Sequence, residues 1–590
     1  MNRHIRPLAL ILLSAFVPAL PAFAQLSIER TITLDQIVPD RGFYVSSFVW
    51  SNTGIVSISD VNVQLSLSAA PGTTMRLGQM YASLTHGVAL ESERVAVLLN
   101  RPGVNNINGF GSNLGSLNVW FDDSVSAQNV YGITNASGTY AADGRIGVNP
   151  FGPRVAYNSN QNTAGLSALN GEWQESGRWS LLVADAQSGN RAEVDSWTLR
   201  VIGEGASNGV VNPGDASTIK SAAGTQTIAA AVNASGTGVN AVNLSPAEGA
   251  KLLLSGGLSG AGDFRKQGNG ILRLEGVSSN FSGKVVVDSG EVQLASSGAL
   301  GTSGRLEIVG SNPLVRLVNS AVISNAIVLS NAGTTRFDGS GRLAGGISGT
   351  GGIVKEGATT LTIAGVNTFT GPTDVTAGKL VVNGVMSNSP VTVQSNAVIG
   401  GTGSVGEMTI FAGGTLAPGN SPGAMTNVGN LTWSGGGFYD WEIFNVAGSP
   451  GSEWDFIDVT GQLLFSGLSA TNQFSINLFS LSALPNTVGS LSGWNPNTNY
   501  SWTILSAGSS ITGFNAANFT LNLANFTNNN ALSGGLFSLA AQGGDLNLLF
   551  TAAVGGGGGQ PIPEPGTWAA AALLAIAACY IRLRRRSAAQ

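Results

Sequence analysis

A chain of 590 residues has room for several domains. Hydrophobic residues make up 43% of it, which excludes a disordered polar chain, while only 10% are charged and 82 positions are glycine. The formal charge is −5 and no basic patch lies outside the C-terminal tail, which argues against a nucleic-acid binder. Many short apolar runs punctuated by Gly and Asn point to an all-β fold.

The first residues read as an export signal. Arg3, His4 and Arg6 form a positive start, Leu8 to Val17 an apolar run, and Ala22-Phe23-Ala24 a small-x-small cleavage site. Residues 1–24 are therefore expected to leave, and the mature chain to begin at Gln25. The one cysteine, Cys579, sits in the terminal apolar segment, so no internal disulfide is possible. Stability must come from sheets and packed cores.

Residues 25–204 hold Trp50, Trp120, Trp173, Trp179 and Trp197. Strand alternation is clean in "VNVQLSLS", which puts Val61, Val63, Leu65 and Leu67 on one face. "RWSLLVAD" and "DSWTLRVIG" are two further strands around a turn at Gly189 and Asn190. This is a β-sandwich pattern. The segments "IVPD", "ISDVNVQLSLS", "YASLTHG", "VAVLLNRPG" and "VWFDD" lead to a closing Gly177-Arg178-Trp179-Ser180-Leu181-Leu182-Val183-Ala184-Asp185 and Ser196-Trp197-Thr198-Leu199. That series resembles the P/Homo B domain, the module that follows the catalytic domain of subtilisin-like proprotein convertases. The resemblance implies a jelly roll. Asp122, Asp123 and Asp185 fall at loop ends of the sandwich and are the candidate ligands for calcium, which needs clustered oxygens. Solvated turn carboxylates are the default reading of the same residues. Zinc is not expected, since no Cys/His constellation exists, and no other cofactor is implied.

From 205 to 429 tryptophan is absent and an internal repeat emerges. "SGAGDFRKQGNGILRLEGVSSNFSGKVVVDSGEVQLAS" (259–296) aligns with "SGTGGIVKEGATTLTIAGVNTFTGPTDVTAGKLVVNG" (348–384). Lys266 matches Lys355, Gly268 matches Gly357, Leu272 matches Leu361 and Gly290 matches Gly378. The repeat resembles the autotransporter-associated β-strand repeat of bacterial surface passenger proteins, which implies a right-handed parallel β-helix. Coils of about 20 residues stacked about 4.8 Å apart would give nine or ten coils, and each coil buries its apolar face only on its neighbours, so the ends need caps. Residues 430–553 are richer in aromatics and read as a β-rich terminal domain, with Asp455 and Asp458 punctuating turns. A glycine-rich linker follows at 554–562.

The tail, 563–590, begins with Pro563-Glu564-Pro565. An apolar helix is expected from Trp568 to Ile581, and Arg582, Arg584, Arg585 and Arg586 follow. Fourteen residues in a helix rise about 21 Å, enough to anchor only with snorkelling arginines. The triplet, short helix and basic end resemble the PEP-CTERM sorting signal of Gram-negative bacteria. The resemblance implies an exosortase-type sorting enzyme as partner and a transient inner-membrane precursor, then a cell-surface, outer-envelope or extracellular product. No run of alternating barrel strands precedes the tail, so the passenger-type repeat implies an architecture and not self-transport.

Catalytic patterns are weak, and no catalytic residue is assigned. A subtilisin-type triad needs a histidine; His4 leaves with the signal and His86 falls in "SLTHG", where a strand-end role is expected. "GNSPG" (419–423) fits the nucleophile-elbow spacing and "GTGSVG" (401–406) the dinucleotide spacing, but both sit among strands, where a turn and a β-helix corner are the better readings. The first expectation is thus a non-enzymatic exported protein, a β-helix stalk with binding modules, contacting extracellular polysaccharide and linked to biofilm or adhesion. The sorting family implies that polysaccharide partner. Two alternatives stay open: an accessory to proteolysis through the P/Homo B-like domain, and a β-helix polysaccharide-degrading enzyme. Against the last, residues 205–430 contain no convincing acidic pair.

Overall fold

The computed structural model describes residues 25–553 except 52, 88–93, 105–110, 125–126, 146–162, 173–175 and 206–209. The export signal with Ala22 and Ala24, Trp173, the glycine linker, and the tail from Pro563 through the Trp568–Ile581 segment to the arginines lie outside the described residues. Among the described residues, no helix is long and apolar enough to cross a membrane.

Period-two alternation builds the first unit. Its strands are β1 (Gln25–Ile37), β2 (Phe43–Ser51), β3 (Ile55–Ala69), β4 (Met80–Gly87), β5 (Arg94–Asn100), β6 (Leu117–Phe121), β7 (Ser176–Asp185) and β8 (Ala192–Gly205). One sheet runs β1-β8-β3-β6 and the other β2-β7-β4-β5, all antiparallel. This is the strand order of a double-sheet jelly roll. Val61, Val63, Leu65 and Leu67 face inward as their alternation requires, against Leu84, Trp179, Leu181 and Val183 of the other sheet. Trp197 ties the layers: its indole N–H donates to Ser46 Oγ at 3.0 Å and its ring packs on Phe48.

Between residues 210 and 466 the strands shorten to between two and six residues and stack on one another in parallel. Each coil contributes a strand to three stacks. The first stack starts at Ser217–Ser221, which pairs antiparallel with β1 on one side and parallel with Val242–Pro246 on the other. A single 14-stranded sheet therefore runs from the jelly roll into the solenoid. The second stack has 12 strands, from Thr225–Ile228 to Leu463–Ser466, a rise of about 50 Å at strand spacing. The third is clearest from Val322–Ile323 to Phe474–Ala483. The whole is a β-solenoid of about 14 turns.

The stacking does not stop at 429. Leu431–Ser434 and Phe438–Ile443 continue the second and third stacks in parallel register, and Phe456–Val459 continues a further seven-stranded sheet that begins at Val385–Met386. The terminal region is thus built onto the solenoid, and the aromatic-rich sequence marks wider coils rather than a new fold. Asp458 lies within a strand and Asp455 just before it, buried, so neither punctuates an exposed turn. Closure comes from an antiparallel hairpin, Leu536–Gln542 with Asp545–Thr551, laid on Tyr500–Ala507. Trp494, Tyr500, Phe526, Phe537 and Phe550 pack into one aromatic cluster there. A hairpin whose outer strand ends the stack is a cap of the kind a solenoid needs.

The two sequence repeats occupy different faces. Phe264–Lys266 belongs to the first stack, whereas its counterpart Gly352–Lys355 belongs to the second. The motif is therefore fitted to a corner of the coil and not to a particular face.

Candidate functional site: a carboxylate cleft on the third stack

Phe438–Ile443, "FYDWEI", alternates strictly. Tyr439, Trp441 and Ile443 are fully buried, so Asp440 and Glu442 project together on the outer side. Neighbouring outward positions are Gly400, paired with Ala417, and Asn477, paired with Asp440. Gly400 and Ala417, with side chains no larger than a methyl group, leave a depression there, a cleft of roughly 400 Å³. Its walls are Lys379, Asn420, Ser421, Asp440, Glu442 and Phe479.

The charges there are partly shielded from water. Burial pushes the Asp440 carboxyl up, partly offset by the Asn477 amide, which donates to it at 2.6 Å, and by Lys379. Burial likewise raises Glu442, offset by Ser421 and Lys379. Beneath them Asp455 is fully buried and raised well above the ordinary carboxylate range. It accepts from Gly423 N at 2.8 Å and from Glu442 N at 3.0 Å, pinning the 419–423 loop to the acidic strand. Two carboxyl groups two residues apart, facing one cation across a cleft, can bind hydroxyl-rich ligands and can exchange protons with them. The pair lies just past residue 430, and its one signal in the sequence is the D-x-E on an alternating aromatic strand.

The other candidate residues are dispersed. "GNSPG" forms the cleft wall as a turn, with Gly419 and Ser421 at positive φ, and "GTGSVG" forms a corner between Ala397–Gly401 and Ser404–Val405. His86 ends β4, its ring stacked on Trp179 at 4.1 Å, and burial lowers its basicity. A Cβ on Gly177 would strike that imidazole, which explains the glycine in the Gly177-x-Trp179 pattern. Asp123 accepts from Ala142 N and Ser167 N, and Asp122 from Ser124 N. Both act electrostatically on Asp60. Asp185 instead accepts from Gln187 N and faces Asp40. Asp122 and Asp123 thus share one loop after β6, while Asp185 ends β7 and is engaged elsewhere. Among the described residues no group of three His, Cys, Asp or Glu is placed to hold a metal ion.

Comparison with known proteins gives a matching family model, Passenger-associated-transport-repeat, at residues 264–294 and 353–382. Both segments fall inside the two repeats seen in the sequence. A solved structure, the crystal structure of Aeromonas sobria serine protease (ASP) and the chaperone (ORF2) complex, aligns at 18% identity with a TM-score of 0.17. The alignment spans 32% of this chain and 28% of that one, and it carries no argument about function. No curated protein matches significantly. Repeats of this kind point to an exported or cell-surface protein of a Gram-negative bacterium, and the solenoid carries two of them, at different corners, as autotransporter-associated passenger repeats.

Proposed function

We propose that the protein is a non-enzymatic, exported surface or extracellular-matrix component, in which a stiff β-solenoid carries a jelly-roll head and contacts extracellular polysaccharide. The observation that carries this reading is the continuity of the molecule: one sheet joins head to rod, and a hairpin closes the far end. Such a rod exposes little unpaired strand edge, which favours solubility and protease resistance outside the cell. The strand order of the head is consistent with its P/Homo B resemblance. Sorting would run through Pro563-Glu564-Pro565, with Trp568–Ile581 and the arginines as a transient anchor for an exosortase-type enzyme. Intact mass of the protein from membrane, surface-wash and medium fractions of its host tests this. A surface product lacking everything beyond about Pro565 is expected. A full-length tail found only in membranes would overturn it.

The carboxylate cleft favours a second reading, a polysaccharide-degrading solenoid with Asp440 and Glu442 as the acid–base pair. Polysaccharide chain length after incubation with the protein, and with Glu442→Gln, decides it. Shortening that the variant abolishes would establish the enzyme; unchanged chain length would remove it.

A further inference from the structure

Polar side chains in the inward rows of the solenoid need partners. Lys266 and Lys355 each have three. Gln226 does not. It heads a row that continues, in register, as Leu252, Leu272, Val292 and Val315. The residue is 8% exposed, and its amide nitrogen Nε2 is buried without a hydrogen-bond partner. A glutamine in a leucine row with an unused donor is not explained by packing.

Gln226 is among the residues lining a groove of roughly 650 Å³ where the jelly roll meets the first coil, within the usual range of small-molecule sites. Ile202, Ala222, Ala223 and Ala247 give it an apolar lining, and Arg200 and Lys220 a cationic one. Glu29 accepts from both Arg200 Nε at 2.8 Å and Lys220 Nζ at 2.7 Å. Two cations share one carboxylate, so the cluster keeps a net positive charge. The Arg200 guanidinium also lies 4.3 Å over the Trp120 ring, which fixes it in place.

We propose that this groove binds a segment of a carboxylated polysaccharide of the uronate class. A uronate ring supplies a carboxylate for the excess cation, hydroxyl and ring oxygens for the Gln226 donor, and a C–H face for the alanine lining. An acidic peptide fits less well. It would gain most by pairing with a strand edge, and β1 is already paired on both sides. The inference rests on the surface reading above for the class of polymer, and adds the site and its charge.

Calorimetric titration of the full chain with galacturonate and mannuronate hexasaccharides, against neutral cellohexaose, is the test. Binding of at least one uronate hexamer is expected, weaker at 0.5 M salt than at 0.05 M. Lys220→Gln and Gln226→Leu should each weaken it at least tenfold, and Arg305→Gln, an exposed cation elsewhere on the rod, should not. Gln226→Leu completes the leucine row, so its unfolding temperature should hold or rise, separating lost binding from lost fold. Failure of both uronates to bind, equal binding of cellohexaose, or full binding by Gln226→Leu would overturn the proposal. Should the groove fail while the mass experiment still places the protein at the surface, only this inference falls.

Discussion

Lys355 repeats, at a different corner of the solenoid, the contact that Lys266 makes in an earlier coil. Lys266 Nζ donates to the carbonyls of Gln267, Gly268 and Ser289; Lys355 Nζ donates to those of Glu356, Gly357 and Ala377. Both residues are fully buried. Burial draws the Lys266 ammonium down to about 8, with Asp288 and Glu291 opposing, so at neutral pH it stays charged with three N–H donors for three acceptors. Replacing either lysine by methionine keeps the length of the side chain and orphans the carbonyls. A loss of about 2–4 kcal/mol is expected in urea unfolding for each variant. Gly290→Ala should act on the same latch. Its φ is +76°, and a Cβ there would stand 2.6 Å from Lys266 Nζ.

This latch shows what the sequence made legible. Lys266 with Lys355, and Gly290 with Gly378, align because a corner demands them as a set, so the repeat could be read from residues alone. Which face each corner occupies could not, since the three stacks use similar short apolar strands and the repeat carries no mark of its own rotation. The jelly roll was legible from alternation at Val61 to Leu67. The cleft was not, because Asp440, Glu442 and Lys379 meet only through strand register, and the alignment of Gly400 with Ala417 that empties the cleft has no local signature. Gln226 was equally silent, since a single glutamine in "TQTI" becomes anomalous only beside Leu252.

Ion pairs bridge successive coils on the second stack. Arg316 Nε donates to Glu291 of one neighbouring strand, and its terminal nitrogen to Asp338 of the other. The arginine is about a third exposed, so water and salt screen the pairs. Arg316→Gln should cost no more than about 1 kcal/mol at low salt. The cost should shrink toward zero in 1 M sodium chloride. Thermal unfolding at the two salt concentrations measures it; an equal, large loss at both would mean that the arginine acts through packing of its stem.

Asp185 gives the jelly roll a pH dependence. Burial raises its carboxyl to about 6, against the Gln187 N–H, which lowers it, and with Asp40 adding repulsion. Its relative exposure is 1%. Between the ordinary value of 3.8 and about 6, the folded chain holds a proton that the unfolded chain has released. Stability therefore falls as pH rises through that window and levels off above it. The contribution is at most about 3 kcal/mol. Asp185→Asn should flatten this part of the stability curve. Urea midpoints between pH 3.5 and 7 would show it, and an unchanged slope in the variant would assign the dependence to another group.

The last prediction concerns the joint between head and rod. Trp50 ends β2 with 1% exposure, edge-on to Phe48, and its indole N–H reaches Ser217 Oγ at 3.3 Å. Ser217 in turn donates to the Pro213 carbonyl and opens the strand that β1 recruits into the shared sheet. One tryptophan thus packs in the jelly-roll core while touching the first solenoid strand. Trp50→Ala removes that buried volume and should cost about 3–5 kcal/mol. More telling is cooperativity. With the joint intact, the shared sheet should make head and first coils unfold together. In the variant the jelly roll should melt in a separate, earlier calorimetric transition, while the capped rod keeps the transition of the native chain. A single transition shifted as a whole would mean that the sheet between β1 and Ser217–Ser221 couples the two units without the tryptophan.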